Sequence, residues 1–308
     1  MDLTELASGL LFPEGPVVLP DGSVLVVEIA RGTLTRIGPD GTRRIVATPG
    51  GGPNGAAIGP DGRCYVCNNG GFRWTPEGDP TGLRPTGQAD DYSGGRIEVV
   101  DLETGEVEEL YRYCDGRPLC GPNDLVFDRE GGFYFTDLGK VRERDQDRGA
   151  VYYARADGSH IRQVVFPIFT PNGCGLSPDG GTLYVAETET ARLWAFRLAG
   201  SGEIVPEPFP SPHGGRLVVG LPGYSRFDSL AVQADGSICV ATLIEGGITI
   251  VSPDGASVRH VPMPDRWTTN IAFGGPDLRT AYVTLSNSGR LVSCAWDRPG
   301  LALNDRAG

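Results

Sequence analysis

Apolar residues fall along the chain in short runs bounded by Gly, Pro, Asp or Asn, and no segment of 10 to 15 residues carries helical spacing. One pattern recurs six times: a polar residue, an apolar strand, a turn of the Asp-Gly kind, and a second apolar strand. The leading polar residues are Glu14, Asn54, Asn123, Asn172, Asp228 and Asn270, and each lies seven positions before its turn acid: Asp21, Asp61, Glu130, Asp179, Asp235 or Asp277. Second strands are predicted at 24–27, 64–66, 133–135, 183–185, 238–240 and 281–283. The turn acids are 40, 69, 49, 56 and 42 residues apart, against the roughly 40 to 50 residues of a four-stranded propeller blade. Period and count predict an all-β chain: one domain over 1–308, a six-bladed β-propeller with four-stranded antiparallel blades around a central channel. Further Asp-Gly turns at Asp40, Asp157 and Asp254 suit outer hairpins.

Innermost strands line such a channel, so the six leading residues form one ring. All six carry side-chain oxygen, and Glu14 and Asp228 bring two negative charges, enough to neutralise a divalent ion. Asparagine and carboxylate oxygens are hard ligands, suited first to Ca²⁺, with Mg²⁺, Mn²⁺ or Zn²⁺ as alternatives. The competing reading is that Asn and Asp simply begin strands as turn residues. Loops after the second strands emerge on the face of this ring. The 69-residue interval has its extra material there, at 69–95, which is either a lid over the mouth or an exposed insertion. Phe72, Arg73 and Trp74 are its pocket candidates, and Arg226 with Tyr224 are those of the segment leading to Asp228. At the ends of the second strands, Asp137 and Glu187 are read either as support for the ring or a second cation site, or as surface caps held by structural hydrogen bonds.

With 27 Lys plus Arg against 39 Asp plus Glu, the net charge is −12, and the basic residues are scattered. A nucleic-acid partner or an anionic membrane surface is therefore not expected, and a small molecule is. No export signal or membrane span is visible at the level of sequence. The seven cysteines, an odd number, are expected as reduced thiols in the cytoplasm. Cys64 and Cys67 form a C-x-x-C inside a strand, where positions three apart face opposite ways, so a zinc or redox role is not expected. No G-x-S-x-G is present, and His160, His213 and His260 are read as surface groups.

Phe12-Pro13-Glu14-Gly15-Pro16, Gly121-Pro122-Asn123-Asp124, Pro171-Asn172-Gly173 and Phe227-Asp228-Ser229-Leu230 together resemble the senescence-marker-protein/gluconolactonase/luciferin-regenerating-enzyme family of propeller lactonases. The resemblance covers nearly the whole chain. It implies a metal-dependent lactonase acting on a small lactone or ester, with one divalent ion held by Glu14, Asn172 and Asp228. It further implies that Asn123 completes the metal shell or faces the substrate; Asn54 and Asn270, from the ring pattern, are candidates for binding substrate beside it. Asp228 would double as general base and Asn123 as stabiliser of the developing oxyanion. One departure stands out: sugar-lactone members commonly carry Arg two residues before the substrate-facing Asn, and here that residue is Gly121. A noncatalytic propeller with a structural metal is the reading from a different class.

Overall fold

The computed structural model describes residues 2–76 and 78–303, and these form strands and turns with no helix among them. Of the expected bounds 1–308 and 69–95, Met1, Glu77 and residues 304–308 lie outside the described residues. Six antiparallel sheets follow one another along the chain. Their innermost strands are Pro13–Val18, Pro53–Ile58, Pro122–Phe127, Pro171–Leu176, Arg226–Val232 and Thr268–Gly274. Each touches the next and the sixth touches the first, so the sheets close into a six-bladed propeller. The last blade is completed by the first strand of the chain: Thr4–Ala7 pairs antiparallel with Arg290–Ala295. In blade four, Arg192–Gly200 pairs with both Glu203–Val205 and Arg216–Gly220, so two short strands share the outer position.

The core consists of six apolar wedges, one between each pair of adjacent blades. Tyr65, Phe133 and Phe135 fill the wedge between blades two and three. Tyr134, Val185 and Phe196 fill the next. Burying one such side chain stabilises the fold by about 1.5 to 3 kcal/mol, and the alternation along each strand supplies both neighbouring wedges. Cys64 and Cys67 obey that alternation. Cys64 packs with Leu25 and Val27, Cys67 with Phe133 and Phe135, and all seven cysteines are free.

The turn acids act locally. Asp21, Asp61, Asp179, Asp235 and Asp277 each accept the backbone N–H two residues on, a side-chain mimic of a backbone turn. Blade three differs from the repeat: Asp128, not Glu130, accepts the N–H groups of Glu130 and Gly132. In the sixth copy Leu278 stands where the others have Gly, yet it keeps the left-handed conformation at φ 57°.

Candidate active site

Beside every leading residue the pairing of the two inner strands is irregular. The register slips between Glu14 and Val17, Pro53 and Ala56, Pro122 and Leu125, Pro171 and Cys174, Phe227 and Leu230, and Thr268 and Asn270. Such a bulge re-aims side chains and commonly lies beside functional sites. All six leading residues are buried. Gly15 lets the first two blades meet at this level, since a Cβ there would lie 2.6 Å from the Asn54 carbonyl oxygen. Phe12, just before the Pro13-Glu14 pair, holds a left-handed φ of 56°, a strained conformation for a bulky residue.

Around the ring, Asn270 Nδ2 donates to Glu14 Oε2 at 2.7 Å, and the Gly15 N–H donates to the same oxygen at 2.6 Å. Asn270 Oδ1 accepts the N–H of Ile271, so that amide is engaged on both sides. Asn172 Nδ2 donates to Thr188 Oγ1 at 3.1 Å, and Ser229 Oγ donates to Asn172 Oδ1 at 3.4 Å. Asn123 Oδ1 is buried without a hydrogen-bond partner.

A third carboxylate joins Glu14 and Asp228. Asp124, buried, accepts the N–H of Leu125 and lies close enough to feel the charges of both. Burial pushes the carboxyls of Glu14 and Asp124 up to about 7, and drives that of Asp228 well above the usual carboxylate range, with repulsion from Glu14 and Asp124 adding to it. No Lys or Arg among the described residues pairs with any of the three. Three buried acids without a cation, beside an unpaired amide oxygen, fit a bound divalent ion. Among the described residues no three His, Cys, Asp or Glu side chains form a metal site by themselves, so an ion here needs the asparagine oxygens. Asp124 follows Asn123 directly, and only the bulge brings two successive residues to this level, a feature that strict alternation conceals.

The ends of the second strands prove to be caps. Glu28 accepts the N–H of Leu11, Asn68 that of Gly52, Asp137 those of Cys120 and Gly121, and Glu187 that of Phe169. Each ties down the loop that leads into its own blade's inner strand. Gly121 is tightly enclosed there: a Cβ would lie 2.5 Å from the Gly139 carbonyl oxygen.

The insertion is packed rather than free. Phe72–Trp74 and Pro85–Gln88 form a separate two-stranded ribbon. Trp74 lies 5.1 Å from the Phe12 ring, and Phe12 lies 5.8 Å from Trp267. Farther out, Asn287 of blade six donates to the carbonyls of Thr81 at 2.9 Å and Leu83 at 3.1 Å. The ribbon thus reaches from blade two past blade one to blade six. Arg73, between the two aromatics, alternates outward and pairs with Asp90. Arg226 pairs with Glu189 at 2.7 Å, and Tyr224 is exposed. His213 departs from the expected surface placement. It packs against Trp194 and Phe196, and both its ring nitrogens are buried without partners. On the turn side of the ring a cavity of about 440 Å³ extends down the channel past Phe127, Leu176 and Phe273 to Leu303.

Comparison with known proteins places these features in context. Residues 12–287 match the family described as the SMP-30/Gluconolactonase/LRE-like region. The chain is 26% identical over 283 residues to lactonase drp35 of Staphylococcus epidermidis, an alignment covering 90% of this chain and 76% of that protein. Two solved structures share the fold. A gluconolactonase from Xanthomonas campestris superposes with a TM-score of 0.73 at 22% identity, covering 95% of this chain and 89% of the other. Regucalcin from Agrobacterium tumefaciens, a calcium-binding protein, superposes with a TM-score of 0.71 at 21% identity, covering 96% and 95%.

Proposed function

Because the chain belongs to the SMP-30/gluconolactonase/LRE-like family, we propose that it is a divalent-cation-dependent lactonase, opening a cyclic ester to its hydroxy acid at the ring of six. The observation that carries the reading is the set of buried, uncompensated oxygens: the carboxylates of Glu14 and Asp228 and the unpartnered Oδ1 of Asn123. Glu14, Asn172 and Asp228 would hold the ion, with Asn123 completing the shell or facing substrate. Oxygen-only ligands favour Ca²⁺. When bound, such an ion polarises an ester carbonyl and lowers the pKa of a water molecule.

The chain's own groups supply the rest. Asn270, through its 2.7 Å hydrogen bond, holds the Glu14 carboxylate in one orientation. The Asp228 carboxylate, next to Asn172, accepts the proton of the attacking water. The Asn123 amide N–H donates to the carbonyl oxygen as negative charge develops there. Phe72 and Trp74 of the ribbon pack with Phe12 and Trp267 into one aromatic cluster; in this reading the cluster is a wall at the mouth that would pack the lactone and exclude water. With Gly121 in place of an arginine clamp, that wall favours a lactone with an apolar face over a polyhydroxylated sugar ring.

The test is acid release from sugar, aliphatic and aromatic lactones by protein as purified, stripped by chelator, and reloaded with Ca²⁺, Mg²⁺, Mn²⁺ or Zn²⁺. Release that disappears on stripping, returns on reloading and is abolished by D228A with the fold retained is the expected result. No release from any lactone with any ion would overturn the reading, and near-normal turnover by D228A would overturn the role of Asp228.

A further inference from the structure

Of the 27 basic residues only one is a lysine, Lys140, and among the described residues it is also the most deeply buried of them at 1% exposure. It comes from blade three, in the loop after Gly132–Asp137, but its ammonium lies in the neck of blade two's insertion. Nζ donates to Asn69 O at 3.0 Å, Asn69 Oδ1 at 3.2 Å and Gly71 O at 2.7 Å. It also sits 4.0 Å from the centre of the Phe72 ring and 5.4 Å from that of Tyr92. Three converging neutral oxygens and two ring faces are how a protein cradles a small monovalent cation. No carboxylate among the described residues forms an ion pair with it; Asp137 and Asp147 act only from farther away. Arginine, used everywhere else, has a planar guanidinium that does not match three acceptors closing on one point.

We propose that Lys140 is a positioning residue: its ammonium is a built-in cation around which the insertion's neck folds, and through Phe72 it fixes the aromatic wall over the ring. The line of contact is continuous. Nζ rests on Phe72, Phe72 meets Trp74 edge-on at 6.0 Å, Trp74 meets Phe12 at 5.1 Å, and Phe12 stands two residues before Glu14. The loop bearing Lys140 is itself anchored: the Lys140 N–H donates to Asp147 Oδ2, the Asp147 N–H donates to the Lys140 carbonyl, and the Gln88 N–H donates to Val141 O. The neck's dependence on Lys140 stands apart from any activity; the wall's effect on substrate rests on the lactonase reading.

The experiment compares K140M, K140R and K140A with the parent by hydrogen exchange across 69–95 and by lactone kinetics, at about pH 6, below the value of about 7 to which burial lowers the ammonium, so that it keeps its proton. K140M keeps the length of the stem without the charge, and K140A opens a space that propylammonium fills. We expect faster exchange in the neck of all three variants, K140R included, with KM raised roughly tenfold and kcat within about twofold. Propylammonium should restore protection and KM in K140A, while propanol, of similar size but neutral, should not. Unchanged exchange in both K140M and K140R overturns the proposal, as does equal rescue by propanol. Faster exchange with unchanged KM overturns the positioning role and leaves lactone hydrolysis standing. If the parent opens no lactone, the function is refuted, and exchange alone still decides the cradle.

Discussion

Replacing Glu14 by glutamine should make the metal-free protein more stable in alkaline solution, although it removes a group central to the proposed chemistry. Glu14 is 2% exposed, and burial raises its carboxyl from 4.5 to about 7. A folded-state pKa above the unfolded one means that the native protein holds this proton more tightly. The stability so contributed is full below about pH 4.5 and is lost as pH rises through about 7. The gap, at about 1.4 kcal/mol per pH unit, corresponds to about 3 kcal/mol lost between about pH 4 and pH 8. Glutamine has no proton to lose, and its carbonyl oxygen still accepts from Gly15 N–H and Asn270 Nδ2, which approach Glu14 at 2.6 and 2.7 Å. Urea unfolding in chelator should therefore show E14Q ahead of the parent by about 3 kcal/mol at about pH 8 and level with it at about pH 4. Excess Ca²⁺ should reverse the order, because only the parent gains fully from binding. An E14Q protein no more stable than the parent in chelator at the higher pH would refute the reasoning.

Other substitutions probe the rest of the site. N123A should lower kcat roughly 100- to 1000-fold with little change in KM, as expected for loss of an oxyanion donor; steady-state kinetics on the best lactone decide it. G121R should not convert the protein to a sugar lactonase but destabilise it by about 1 to 3 kcal/mol, the cost of overpacking, because of the 2.5 Å approach to Gly139 O; a thermal melt and a gluconolactone assay read both effects. Exchanging residues 73–91 for a short turn should reorder KM values across a lactone panel while bound metal, measured by elemental analysis, stays unchanged.

The six inner strand pairs were legible because the seven-residue step from ring residue to turn acid recurs in every blade. The strand that completes blade six was not, since Thr4–Ala7 lacks the repeat and is a strand only through its distant partner. Asp128 replaced Glu130 in its turn because the shorter side chain reaches N–H groups two and four residues on. Asp124 escaped notice through the bulge. Lys140 did so because its value depends on a meeting of loops from two blades, which no local pattern announces, although its being the only lysine was a signal. His213 looked like a loop residue until the outer strands of blade four folded it against Trp194.

The pairing of Thr4–Ala7 with Arg290–Ala295 has a consequence for biosynthesis. Thr4–Ala7 must wait for Arg290–Ala295, almost a whole propeller later along the chain, so blade six cannot be completed until that strand has been made. Until then blade six lacks an outer strand and the facing sheet edge is unpaired, an invitation to association with other chains. Once formed, the seam ties the strand before blade one to the last strand of blade six, so fraying of either must first break it. A version beginning after Ala7 should therefore lose more than four residues of sheet: it should leave the edge of Arg290–Ala295 unpaired and prone to aggregation.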